Sequence, residues 1–120
     1  MSSIITEVIG DSQNNGIQRV HTLLYSGHYD NTLARCVVKI NKKKIAEIYR
    51  LEVPNEANRR KHYGSKLWQF TENYVIGKHK PKRFVGELDF SNVPAVSFWK
   101  SLNFQLVKDK INYGHIIKEI

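Results

Sequence analysis

The chain has 120 residues, 41% of them hydrophobic and 25% charged, which suits one folded domain around one core and excludes a disordered chain. Nineteen Lys and Arg against eleven Asp and Glu give a net charge of +8, so the expected partners are anionic: nucleic acid, a phosphate-bearing cofactor, an acidic protein or an acidic membrane surface. Cys36 is the single cysteine, which excludes an internal disulfide and a cysteine zinc cluster. No basic-then-apolar leader opens the sequence and no apolar run approaches the ~18 residues of a membrane span, so a soluble cytoplasmic protein is expected.

In chain order, Ile4 to Ile9 reads as a short strand, and the polar run GDSQNNG (Gly10 to Gly16) as a loop. Ile17 to Tyr25 is the second strand, with a helix as the competing reading because Leu23 and Leu24 break strict alternation. SGHYDN is a polar turn. Leu33 to Ile40 and Ile45 to Val53 are strands joined by a hairpin-like NKKK turn, and Pro54 ends the pairing. Strand parity puts Glu47 on one face with Tyr49, Leu51 and Val53, and Glu52 with Arg50 on the other.

From about Arg60 to Ile76 the period becomes helical, with Leu67, Phe70 and Tyr74 on one stripe and GKHKPK as the stop signal, read as a glycine end followed by proline. Arg83 to Phe90 is a strand. Ser91 or Asn92 caps a second helix that carries Ala95, Phe98, Trp99 and Leu102 on its apolar face, with Pro94 in its first turn. Phe104 to Val107 and His115 to Ile120 complete the chain as two strands. The order predicts a single α/β domain over residues 1–120, a mixed sheet of six to seven strands with two main helices.

The densest positive charge lies in RRKHYGSKL (Arg59 to Leu67), between a strand and a helix. A helix start exposes unpaired backbone N–H groups at the positive end of its dipole, which favours phosphate. Arg59, Arg60, Lys61 and Lys66 add full charges, and Gly64 admits close approach of the backbone. An anion cradle and a solvated basic first turn both fit these residues. The run is neither a P-loop nor a GxGxxG fingerprint.

Two segments together add a family resemblance. LEVPNEANRRKHYGSKL followed by ENYVI resembles motif A of the GCN5-related N-acetyltransferases (GNAT), whose turn is written R/Q-x-x-G-x-G/A; Arg59 and Gly64 match its first and last positions. GELDFSNVPAVSFWKSLNF resembles the segment that follows in the family, close to LEVxxSNxxAxxLYxxxGF, through Glu87, Ser91, Asn92, Ala95, Leu102 and Phe104. Within the superfamily this second segment is most similar to the ribosomal-protein N-terminal acetyltransferases. The resemblance implies a GNAT fold with acetyl-CoA as co-substrate. It implies that the amides of Lys61, His62, Tyr63, Gly64 and Ser65 hold the pyrophosphate, flanked by Arg59, Arg60 and Lys66. The pantetheine arm would pair near Leu51 and Val53, with Asn92 on its other side. The position of a tyrosine thought to protonate the leaving thiolate is occupied by Trp99, whose indole cannot serve as that acid.

His62 stands where the family has its inner glycine, either crowding the diphosphate or donating to it, and an imidazole beside that anion is more easily protonated. Asn103 stands for the glycine of the closing GF pair, a tolerant replacement at a left-handed cap. For the general base, the resemblance points to Glu87 in the ribosomal-protein branch and Glu47 in the histone acetyltransferase branch; an exposed strand carboxylate paired with lysine is the bland alternative for each. The seven residues Gly10 to Gly16 replace the two helices most members carry between their first strands, so either the acceptor groove is open, which suits a protein or peptide, or a second chain completes it as a homodimer. The implied activity is acetyl transfer to an amine, on an acceptor that is acidic or nucleic-acid-associated. A catalytically weak CoA-binding protein and a small basic nucleic-acid-binding protein are the alternatives, the latter supported by the further clusters KINKKK and KHKPKR.

Overall fold

The computed structural model describes residues 3–55 and 62–120. Strands β1 (Ile4–Asn14), β2 (Ile17–Ser26), β3 (Thr32–Ile40) and β4 (Ile45–Glu52) follow one another as an antiparallel meander. Helix α1 (Tyr63–His79) then crosses over to β5 (Arg83–Asp89), which lies parallel to β4. Helix α2 (Val93–Ser101) leads into the antiparallel pair β6 (Gln105–Lys110) and β7 (Tyr113–Glu119). The single sheet has seven strands in the order β1-β2-β3-β4-β5-β7-β6, the mixed α/β architecture expected from the sequence. No helix among the described residues is long and apolar enough to cross a membrane.

The segment Gly10 to Gly16 is not a loop. Asp11 to Asn14 continue β1, paired with Ile17 to Val20 of β2. Asn15 and Gly16 form the turn between them, with φ of 53° and 78°; positive φ at both central residues is what a two-residue hairpin of the type I′ kind needs. β1 and β2 are therefore joined directly, with no helix between them.

Both helices pack on one face of the sheet. The core is built on alternate residues of the strands, among them Val20, Leu24, Ala34, Cys36, Val38, Phe84 and Ile116, against Leu67, Trp68 and Val75 of α1. Trp68 is the centre of an aromatic cluster: Phe84, Phe104 and Trp99 lie with ring centroids 5.0, 5.7 and 5.8 Å away, all edge-on, the geometry that ring quadrupoles favour. One polar contact is enclosed in this layer. The hydroxyls of Thr22 on β2 and Thr71 on α1 meet at 2.7 Å, and Thr71 also reaches the Leu67 carbonyl; mutual satisfaction makes their full burial tolerable. Cys36 is core as well, its thiol pushed up to about 12 by burial.

Helix α1 begins at Tyr63, three residues later than the period suggested, and runs through Gly77 to His79. Lys80 is the residue that ends it, in the left-handed region with φ 50°, its N–H reaching the carbonyls of Val75 and Ile76. The C-terminal half of α1 is tied to the β1–β2 hairpin by Asp11. This largely buried carboxylate accepts hydrogen bonds from Tyr74 and Gln18, contacts His79 Nε2 at 2.9 Å and pairs with Lys78 Nζ at 3.1 Å. Burial opposes its ionisation, but the hydrogen bonds from Tyr74, His79, Gln18 and Lys78 outweigh that and hold the carboxyl well below the usual range.

Candidate active site

β4 and β5 are hydrogen-bonded to each other over Ile45–Glu47 and Arg83–Val85 only. Beyond that point β4 stays with β3 as far as Glu52, and β5 stays with β7 as far as Asp89. The two parallel strands thus part into a wedge that opens toward their C-terminal ends. The local cause is a β-bulge. Val38 faces Ile48 and Val37 faces Arg50, so Tyr49 is an extra residue in β4. A bulge bends its strand and increases the local twist, here directly after the last contact with β5.

The bulge also corrects the parity expected for β4. Leu51 faces Cys36 on the helix-covered side, whereas Glu47, Arg50 and Glu52 face Lys39, Val37 and Arg35 on the other side. Glu47 therefore shares a face with Glu52 and Arg50, not with Leu51. On β5, Glu87 lies on that same helix-free face, two residues beyond Val85, the partner of Glu47. The two candidate bases sit on the two strands that flank the wedge. Among the described residues neither carboxylate has an ion-pair or hydrogen-bond partner, while Glu52 is held by Arg35 at 3.1 Å.

On the helix-covered side, the open end of the wedge meets the start of α1. His62 precedes the helix with φ 62° and ψ 21°. This is the left-handed conformation that a glycine supplies without strain, which accounts for the inner glycine of the motif and shows His62 adopting it. Among the described residues no side chain caps this end, and its first turn holds no acidic residue. The His62 carbonyl accepts from Lys66 N and Ser65 Oγ, both at 3.1 Å, which leaves the amides of Tyr63, Gly64 and Ser65 at the helix start without an intrahelical acceptor. Tyr63 is half-buried against the core and Lys66 is exposed. Gly64 lies against Val53, just past the end of β4, and against Phe98 of α2. Arg59, Arg60 and Lys61 lie outside the described residues.

The structure therefore brings Leu51, Val53, His62, Tyr63, Gly64, Ser65 and Lys66 to one end of the wedge, and Glu47 and Glu87 to its helix-free side. Asn92 and Trp99 are used otherwise. The Asn92 carboxamide oxygen accepts from Ala95 N at 3.2 Å and caps α2. Trp99 is 9% exposed, with Phe98 and Phe104 ring centroids 4.9 and 5.0 Å away, so its ring belongs to the core cluster. Phe98, which the sequence reading assigned only to the apolar face of α2, is the aromatic at the wedge. Asn103 has φ 68°, the left-handed cap expected of it. The basic clusters of the β3–β4 turn and of the α1–β5 connection meet at the opposite end of the sheet, where Lys82 N–H donates to the Lys44 carbonyl at 2.7 Å.

The sequence matches the acetyltransferase (GNAT) family over residues 8–104. No curated protein matches it in sequence. Among solved structures, a domain from Methanocaldococcus jannaschii DSM 2661 superposes with a TM-score of 0.77 at 14% identity, each chain covered over 100% of its length. An acetyltransferase from Thermus thermophilus gives 0.65 at 19% identity, over 85% of this chain and 64% of that one. An acetyltransferase from Bacillus anthracis str. Ames, in complex with acetyl coenzyme A, gives 0.71 at 13% identity, over 85% and 63%. This chain thus spans somewhat under two thirds of the latter two proteins, and shares their fold.

Proposed function

The chain belongs to the acetyltransferase (GNAT) family, whose members are acyl-CoA N-acyltransferases, and from that premise we propose that it moves acetyl from acetyl-CoA to an amine by direct attack in a ternary complex. The observation that carries this reading is the wedge itself. Two parallel strands part behind a bulge, a helix start stands at the open end with no side-chain cap among the described residues, and two carboxylates without a partner among those residues lie on the far side.

The amides of Tyr63, Gly64 and Ser65 fit a diphosphate, because they point from a helix start whose first turn holds no acid and which no described side chain caps. The parted edge of β4 offers backbone groups to the pantetheine amides near Leu51, and the acetyl coenzyme A complex of the Bacillus anthracis relative supports acetyl-CoA as the ligand. The thioester supplies an activated acetyl group. Glu87, or Glu47 across the wedge, takes a proton from the acceptor ammonium. The freed amine forms the new N–C bond, the C–S bond breaks, and the thiolate leaves. Trp99 cannot protonate that thiolate from the core, so Tyr63 or solvent does. With a cysteine-like thiol pKa of ~8.5, the leaving group tolerates the lack of a dedicated acid.

The face that carries Glu47 and Glu87 has no helix over it among the described residues, and this openness supports a protein or peptide as acceptor. Thiol release from acetyl-CoA in the presence of peptide acceptors tests the reading. Acceptor-dependent release that falls ~100-fold in Glu87→Gln or Glu47→Gln supports it; release unaffected by both substitutions removes the assignment of the base.

A further inference from the structure

The helix-free face is strongly patterned. In one cross-strand row Arg19 of β2 faces Lys39 of β3, which faces Glu47 of β4; in the next row along the strands His21 faces Val37, which faces Arg50. Like charges directly opposite on a sheet are destabilising, so the Arg19–Lys39 pair is a cost the fold carries. Glu47 opposite Lys39 offsets it only at longer range, because the two form no ion pair. The Lys39 ammonium rests 3.5 Å from the centre of the Tyr49 ring rather than on a carboxylate, and Arg19 has no acidic partner among the described residues. Arg35 is already committed to Glu52, and Arg50 lies 4.0 Å from the same carboxylate.

His21 reports the imbalance. Its Nε2 is shielded from solvent and lacks a hydrogen-bond partner among the described residues. Its pKa is lowered, first by burial and then by the charges of Arg19, Arg35 and Arg50. Beside this excess of positive charge, Arg19, Lys39 and Glu47 line a depression of ≈ 510 Å³ with Ile17, Ile45 and Val85. Arg19 and Lys39 converge on this depression, and Arg50 is displaced from them by one row. Successive rows on a strand are ~6.8 Å apart, which is also the repeat of alternate side chains on an extended peptide. Arg19 and Lys39 share one row and Arg50 lies in the next, and charge spread over two rows suits carboxylates in sequence better than one phosphate.

We propose that the acceptor is an acidic peptide segment, laid along the helix-free face so that its carboxylates meet Arg19, Lys39 and Arg50 while its amine reaches Glu47 and Glu87. This rests on the transferase reading for the role of the amine. Carboxylates spaced two residues apart would fall on successive rows, and the Arg19–Lys39 repulsion would be relieved on binding.

The test compares two pentapeptides with the same free N-terminus, Ser-Glu-Ala-Glu-Ala and Ser-Gln-Ala-Gln-Ala, titrated calorimetrically into CoA-saturated protein at low salt. The acidic peptide is expected to bind at least ~10-fold more tightly, and Arg19→Gln or Lys39→Gln is expected to remove that advantage. Arg19→Gln relieves a like-charge pair and should not melt below the wild type, Lys39→Gln exchanges the same relief for the Tyr49 ring contact and should stay folded, and both should retain the stabilisation given by acetyl-CoA. Equal affinity for the two peptides, or an advantage that survives both substitutions, overturns the proposal. So does glucosamine 6-phosphate binding as tightly as the acidic peptide. If the acidic peptide binds through Arg19 in a protein that acetyl-CoA does not stabilise, the acidic-peptide site stands and the transferase reading falls.

Discussion

Gly64 in the first turn of α1 lies under the ring of Phe98 from α2. A Cβ built on this glycine would come within 3.3 Å of Phe98 Cε1 and 3.7 Å of Val53 Cγ2. One position thus joins both helices and the end of β4 at the mouth of the wedge. The absent side chain serves packing as well as any approach of a ligand.

Gly64→Leu is therefore expected to overpack this junction and cost about 1–3 kcal/mol in urea unfolding. The same substitution combined with Phe98→Ala should recover part of the loss, because the clash is specific to that ring. Losses that simply add in the double variant would show that the two residues do not share the contact. Gly64→Ala should be near neutral, since the gain in helix propensity of about 1 kcal/mol offsets a tight but adjustable contact.

His62→Gly should preserve or raise stability, by up to about 1 kcal/mol. A non-glycine residue in the left-handed region carries a cost of about 1–2 kcal/mol, and glycine returns about 0.5–1 kcal/mol of that in added chain entropy. A drop in stability would mean that the imidazole makes a contact worth more than the strain.

These two positions also show what the sequence could tell. The resemblance to the glycine motif located the turn, but it reads Gly64 as an approach site and His62 as a side chain that either crowds the diphosphate or donates to it. Their backbone and packing roles depend on Phe98, which lies far along the chain on the other helix. The strand and helix order was legible because β5 alternates, β3 is β-branched in its second half and α1 carries an apolar stripe. The end of β1 was not, because Asp11-Ser12-Gln13-Asn14 has loop composition; it becomes strand through partners on α1 that local pattern cannot supply. The parity of β4 failed for a similar reason. A bulge at Tyr49 leaves no mark in composition, yet it moves Glu47 to the other face from Leu51. The alternation of Arg19 and His21 with Val20 and Thr22 is a usable signal for the helix-free face of β2, which reads as a strand even though the doublet Leu23-Leu24 leaves a helix as the competing reading.

Asp11 should govern the acid limit of stability. Its carboxyl is held below its usual value near 3.8, so the contribution is fully present above the unfolded-state pKa and is lost as pH falls through the folded one. Asp11→Asn is expected to cost about 2–4 kcal/mol near neutral pH, because it removes the charge from a buried ionic cluster. The gap between variant and wild type should narrow below about pH 4. A constant gap down to about pH 2 would contradict the assignment.

Glu87→Gln and Glu47→Gln separate chemistry from binding. The residue that takes the amine proton should lose about 10²–10⁴ in kcat, while the KM for acetyl-CoA stays near the wild-type value. Neither carboxylate is committed to an ion pair among the described residues, so neither substitution should lower stability by more than about 0.5 kcal/mol.

The most direct measurement is thermal unfolding with excess acetyl-CoA, beside ATP and a short DNA duplex as anionic controls. If the wedge between β4 and β5 is an acetyl-CoA site, ligand at ~100 times its Kd stabilises by ~2.7 kcal/mol, an upward shift of several degrees, and neither control reproduces it. No shift with acetyl-CoA, or an equal shift with ATP or DNA, would contradict the account and leave the wedge as fold alone, with the positive charge serving a polyanion.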